Sequence, residues 1–249
     1  MRRLEFLCFT LLALMATSLD VLAQIAERKV DIYSEGVRMS GAVLYPQALE
    51  GKKLPTVIMS HGWGGTAALL RPDAERFAKA GYFVLVFDYR GWGDSDARWV
   101  REGSMATDSK AGRELREVVD PLDQATDIFN AVHWAMGEPM VDVNRVGLWG
   151  TSFSGGLVAY VAARDPRIKA IVSQAAYFGQ PRATYAPNAL ARAQSDATRR
   201  ARGEIGYPPP SAKGYRICQI VPVSSSLSTS RSETAVPSFG SQLTRRLPR

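Results

Sequence analysis

The sequence predicts an α/β protein, with a mainly parallel sheet covered by helices on both faces. Two observations carry this. Short strand-like runs alternate with helix-like ones from residue 28 to residue 173, the pattern that parallel strands joined by crossover helices impose. The runs Pro55–Ser60 (PTVIMS) and Tyr82–Phe87 (YFVLVF) are almost wholly apolar rather than alternating, as strands buried on both faces are. The chain has 249 residues, 46 % hydrophobic and 22 % charged. That supplies a sizeable core and excludes a disordered chain, a collagen and a multi-pass membrane protein.

Residues 1–23 (MRRLEFLCFTLLALMATSLDVLA) begin with Arg2 and Arg3, continue through an apolar stretch to Leu19, and end in Val21 and Ala23. This is the layout of a secretory signal peptide with cleavage after Ala23, so the protein is expected to be secreted or periplasmic. Cys8 leaves with the signal and only Cys218 remains, which excludes an internal disulfide.

Within residues 24–180, Arg28–Tyr33 and Val37–Tyr45 flank the turn-prone Ser34-Glu35-Gly36 and predict an antiparallel hairpin. After the strand Pro55–Ser60, Pro72 suits a first helical turn and Gly81 a stop. Tyr82–Phe87 is the next buried strand, followed by the turn-rich DYRGWGDSD at 88–96. Asp120 as N-cap and Pro121 as first residue open a long helix reaching Gly137, with Leu122, Ala125, Ile128, Phe129, Val132 and Met136 on one stripe. Arg145–Trp149 is a strand, Leu157–Arg164 a helix and Ile168–Ser173 another apolar strand.

The chemistry concentrates in RVGLWGTSFSGG, residues 145–156. A strand running through a small-residue turn into a helix is the setting of a nucleophile elbow. A serine held there needs small neighbours two before and two after it, and Gly150 and Ser154 flank Ser152 in that way. The helix dipole and the free N–H of Phe153 then meet developing negative charge. His61-Gly62-Trp63-Gly64-Gly65 follows the strand Pro55–Ser60; its glycines let backbone N–H groups approach a substrate oxygen, with Trp63 N–H the expected donor. Ser154 is a rival nucleophile.

Together with DYRGWGDSD, these motifs make the sequence resemble the α/β-hydrolase superfamily, in its dienelactone-hydrolase-like and serine-aminopeptidase or X-Pro-peptidase-like branches, over residues 28–180. The resemblance implies a serine hydrolase acting on a small-molecule ester or peptide (amide) substrate through an acyl-enzyme. Ser152 would be the nucleophile, and the Phe153 and Trp63 backbones the oxyanion hole. No cofactor or metal is expected, since HExxH, CxxC and GxxxxGK[ST] patterns are all missing from the sequence.

The superfamily order is serine, then acid, then histidine. Here both histidines, His61 and His133, precede Ser152. His61 is expected to shape the oxyanion loop and His133 to serve packing or the surface, which leaves the base and acid unassigned. Residues 1–180 hold 20 basic and 21 acidic side chains, whereas 181–249 hold 11 and 3. The net charge of +7 therefore belongs to a tail. Residues 188–204 are helix-prone; Ile217–Val223 is a candidate strand weakened by Pro222; beyond it eight serines from Ser224 onward give a disordered composition. The expectation is that the superfamily pattern stops between about 180 and 215, without its last strands and histidine. A catalytically inactive relative acting as an exported binding protein is the competing reading, with weak contact of the tail to anionic surfaces. Nucleic-acid binding is not expected, because the arginines are not interleaved with aromatics.

Overall fold

The computed structural model describes residues 24–101, 112–178, 189–205 and 216–217. The signal segment 1–23 and the serine-rich stretch 224–249 lie outside the described residues. A six-stranded sheet forms the centre. Its strands are β1 (Ile25–Ser34), β2 (Val37–Pro46), β3 (Leu54–Ser60), β4 (Phe83–Phe87), β8 (Val141–Thr151) and β9 (Ile168–Gln174), in the spatial order β1-β2-β4-β3-β8-β9. The lead-in pair β1–β2 and the pair β2–β4 are antiparallel, and β4–β3, β3–β8 and β8–β9 are parallel.

Side chains alternate across the strands, so each face has its own core. Ile58, Phe83, Leu85, Phe87, Val146 and Leu148 point to one face. Helices α2 (Pro121–Gly137) and α3 (Phe153–Ala162) cover it with Ala125, Ile128, Val132, Leu157 and Val158. On the other face Val57, Met59, Val84, Val86 and Trp149 pack on Leu70, Ala74 and Ala78 of α1 (Ala67–Lys79). Helices thus cover both faces, as the sequence predicts.

The long helix α2 begins and ends as expected, because its signal is local: the Asp120 carboxylate accepts from the Leu122 and Asp123 N–H groups, and Pro121 follows directly. Its stripe is rotated, however. Leu122 is 48 % exposed, while Gln124, Asp127, Ala131 and Ala135 are buried, because Asp127 turns inward to pair with Arg90. Helix α1 starts five residues before Pro72, which lies inside it. The cap is tertiary: Asp88, at the end of β4, accepts from Ala67 N–H at 2.6 Å.

Helix α3 likewise starts at Phe153 rather than Leu157. The hairpin of β5 (Arg98–Arg101) and β6 (Gly112–Leu115), and the short β7 (Val118–Val119), had no sequence signal, since RWVR and GREL carry no apolar alternation. Helix α4 (Ala189–Ala201) occupies the helix-prone basic run, and β10 (Arg216–Ile217) pairs in parallel with β7. Strand β9 is the edge of the sheet among the described residues. Only Ile168 of its residues is buried.

Candidate active site

Strand β8 ends at Thr151 and α3 begins at Phe153, leaving Ser152 alone between them. Ser152 has φ 54° and ψ −120°, a left-handed conformation that costs a non-glycine residue about 1–3 kcal/mol. Three backbone bonds hold the turn: Ser152 N–H donates to Gln174 O at 2.8 Å, and Ser152 O accepts from Gly155 at 3.0 Å and Tyr177 at 2.9 Å. The sharp bend brings chain segments into close contact. A Cβ on Gly150 would lie 2.5 Å from Ser154 O, and one on Gly156 only 2.2 Å from Tyr177 O. Glycine is needed at both positions for that reason.

Ser152 is exposed, whereas Ser154 has no accessible surface. The hydroxyl of Ser154 is bonded to Ser60 Oγ and accepts from Tyr89 Oη at 3.1 Å. Of the two serines only Ser152 is open to solvent, and the burial of Ser154 argues against it as a rival nucleophile. Phe153 is the first residue of α3, so its N–H is one of the helix-start donors that have no intrahelical acceptor. The loop after β3 lies against this turn: a Cβ on Gly62 would stand 3.0 Å from Thr151 O and 3.4 Å from Ser152 Cβ. Trp63 packs its ring edge-on against Phe153, with centroids 5.9 Å apart. Ser152, Phe153 and Trp63 are therefore adjacent.

The two histidines are elsewhere. His61 is buried, its ring edge-on to Tyr89 at 4.5 Å between centroids. Its Nδ1 lies 3.0 Å from Gly62 O, and since a carbonyl only accepts, Nδ1 carries the proton. Nε2 is then a lone-pair acceptor, with no hydrogen-bond partner among the described residues. Burial lowers the pKa of the ring, against the opposing pull of the Gly62 bond and Asp88, so His61 is neutral near pH 7. His133 is exposed on α2 with Nδ1 3.1 Å from Arg167 Nη1. Neither histidine is hydrogen-bonded to Ser152 among the described residues.

The segment 88–96 ties the site together, a role its turn-prone composition does not announce. The Asp88 carboxylate accepts from Ala67 and Asp94 N–H, and so joins the start of α1 to its own loop. Tyr89 touches both His61 and Ser154. Arg90 forms a buried ion pair with Asp127 and also donates to Asp123 O. Burial raises the pKa of Asp127, and Arg90 together with the Ser34 hydroxyl opposes the rise. Trp92 donates to Val118 O and packs beside His61. Among the described residues no group of histidine, cysteine or carboxylate side chains is arranged to hold a metal ion.

Comparison with known proteins gives this geometry a family. A quorum-quenching protein of Acinetobacter baumannii is 38 % identical over 161 residues, covering 64 % of this chain and 47 % of that protein. A thiohydrolase of Aspergillus aculeatus is 32 % identical over 140 residues, covering 56 % of this chain and 38 % of its own length. The chain thus spans about half the length, or less, of these curated relatives. Among solved structures, DcsB in complex with its substrate analogue is 28 % identical at a TM-score of 0.53, covering 72 % of this chain and 55 % of that one. The α/β hydrolase GrgF from Penicillium is 25 % identical at a TM-score of 0.52, covering 77 % and 60 %. Residues 35–201 match the model of the X-Pro dipeptidyl-peptidases (S15 family), which carries the match through α4 and past residue 180. The chain belongs to the X-Pro dipeptidyl-peptidase (S15) family, within the α/β-hydrolase superfamily.

Proposed function

We propose that the chain is an exported serine hydrolase that cleaves an acyl ester, thioester or amide through an acyl-enzyme on Ser152. The observation that carries this is an exposed serine in a left-handed turn at a helix start, with the Gly62–Trp63 loop against it. Ser152 Oγ would attack the carbonyl carbon and lose its proton, while the Phe153 and Trp63 N–H groups receive the oxyanion. Collapse of that intermediate expels the leaving group with a proton, and water then releases the acid. The thiohydrolase and quorum-quenching relatives support a small acyl compound as the substrate class.

No side chain among the described residues is placed as the base, and loss of one triad member typically costs on the order of 10⁴–10⁶ in rate. Hydrolysis of a p-nitrophenyl ester is accordingly expected barely above background. The decisive experiment is labelling with an alkyl fluorophosphonate followed by peptide mass analysis. A slow adduct on Ser152, abolished in Ser152→Ala, is expected. Absence of any adduct would overturn the reading in favour of a non-catalytic binding protein.

Export is part of the same proposal. The basic and apolar layout of residues 1–23 supports it, and the sheet begins at Ile25, so cleavage after Ala23 leaves every strand intact. No described helix is long and apolar enough to cross a membrane. Amino-terminal sequencing of protein from the extracellular or periplasmic fraction should begin at Gln24; a cytoplasmic protein beginning at Met1 would refute export.

A further inference from the structure

The superfamily pattern has glycine two residues after the nucleophile, but this chain has Ser154 there. Its hydroxyl is not an incidental substitution. Ser154 sits in the first turn of α3 with no accessible surface, Tyr89 is also fully buried, and Ser60 is 1 % exposed. Tyr89 Oη donates to Ser154 Oγ at 3.1 Å, and Ser154 Oγ is hydrogen-bonded to Ser60 Oγ. Three chain segments thus meet at one oxygen: the end of β3 just before the oxyanion loop, the 88–96 loop after β4, and the elbow helix. Removing the Ser154 hydroxyl takes a bond from each of two buried hydroxyls, and removing that of Tyr89 or Ser60 takes one from Ser154. The Tyr89 ring also packs on His61, whose Nδ1 holds the Gly62 carbonyl, so the same phenol touches both halves of the site.

We propose that the Tyr89–Ser154–Ser60 hydroxyl chain is a positioning device that holds Ser152 in its left-handed turn and fixes the oxyanion loop relative to it. These are positioning residues, because none of them reaches solvent or a substrate. The proposal rests on the reading of Ser152 as nucleophile, but it makes a claim about the turn that stands apart from activity. Ser154→Gly restores the superfamily residue, so a view in which only small size matters here expects the turn to be unaffected. The hydroxyl chain predicts the opposite.

Hydrogen exchange by mass spectrometry, read on peptides spanning residues 150–157 and 174–178, reports the amides of Ser152, Gly155 and Tyr177 that close the turn. In Ser154→Gly and in Tyr89→Phe, exchange there should accelerate about tenfold or more, as loss of a buried hydrogen bond implies. Peptides from β1 should be unchanged. The double variant should exceed the larger single effect only slightly, since both substitutions break one chain. Fluorophosphonate labelling of Ser152, measured well below the unfolding midpoint, should slow by a similar factor in each variant.

Unchanged exchange in both variants would overturn the proposal, as would additive effects in the double variant. Accelerated exchange with an unchanged labelling rate would overturn the positioning role too. If the parent chain is never labelled, the hydrolase reading falls, and the exchange result alone decides whether the hydroxyls hold the turn.

Discussion

Strands β4 and β9 both carry apolar residues, FVLVF and IKAIVSQ, yet every residue of β4 is buried while of Ile168, Ala170, Ile171 and Val172 in β9 only Ile168 is. Beside β4 lie β2 and β3, with helices above and below, whereas β9 has a partner on one side alone among the described residues. Ile171 and Val172 remain 40 % and 44 % exposed. Burial is conferred by neighbours, and an apolar run by itself only makes it worthwhile. The candidate site lies across this divide. Its scaffold, namely Ser60, His61, Asp88, Tyr89 and Ser154, is buried on the β3–β4 side, while the Tyr177 and Phe178 that follow β9 are exposed.

The contrast can be broken or sharpened by substitution. The largest stability effect is expected at the buried ion pair. Arg90→Ala leaves the Asp127 carboxylate, which has only 1 % of its side chain exposed, without its guanidinium and should cost about 3–5 kcal/mol in urea unfolding. A loss below about 1 kcal/mol would mean that solvent reaches this pair and the scaffold is less dry than its burial implies. Next comes the core itself. Ile58→Ala, at a side chain 1 % exposed, should destabilise by about 2–5 kcal/mol.

A smaller effect comes from His61 and pH. Burial holds its pKa below the ordinary 6.5, so the unfolded chain binds the proton first as pH falls. Stability should be full above 6.5 and decline below it until the folded ring also protonates, with a slope of up to about 1.4 kcal/mol per pH unit from this one group. Comparing parent and His61→Gln by thermal unfolding between pH 7 and pH 5, about the range where histidine titrates, isolates the contribution; equal slopes would place His61 in contact with solvent. Smallest of all, Val172→Ala on β9 should change stability by only about 0.5 kcal/mol or less. A cost comparable to Ile58→Ala would show that β9 is covered in solution, and the comparison between the two strands would fail.

How much could be read in advance depended on whether the signal was local. Helix α2 was legible to its first and last residue, because Asp120 and Pro121 lie beside the bonds they satisfy or forgo. The start of α1 was not, since its cap is the carboxylate of Asp88, 21 positions further on. Ser152 and the Gly62–Trp63 loop were legible as a pair, because a sharp strand-to-helix turn and a close backbone approach demand small residues at fixed spacing. The choice between Ser152 and Ser154 was not, because the same small residues permit either.

The sequence by itself determined the sheet's alternation, the elbow at 150–156, the glycine loop at 62–65, and the absence of any histidine after Ser152, all of which are statements about order and spacing along one chain. Tertiary structure alone decided which serine is exposed, that His61 is turned inward with no partner for Nε2 among the described residues, and that DYRGWGDSD bonds to each of the helices α1, α2 and α3. Those facts depend on distances between residues far apart in sequence, and burial and hydrogen bonding act through space.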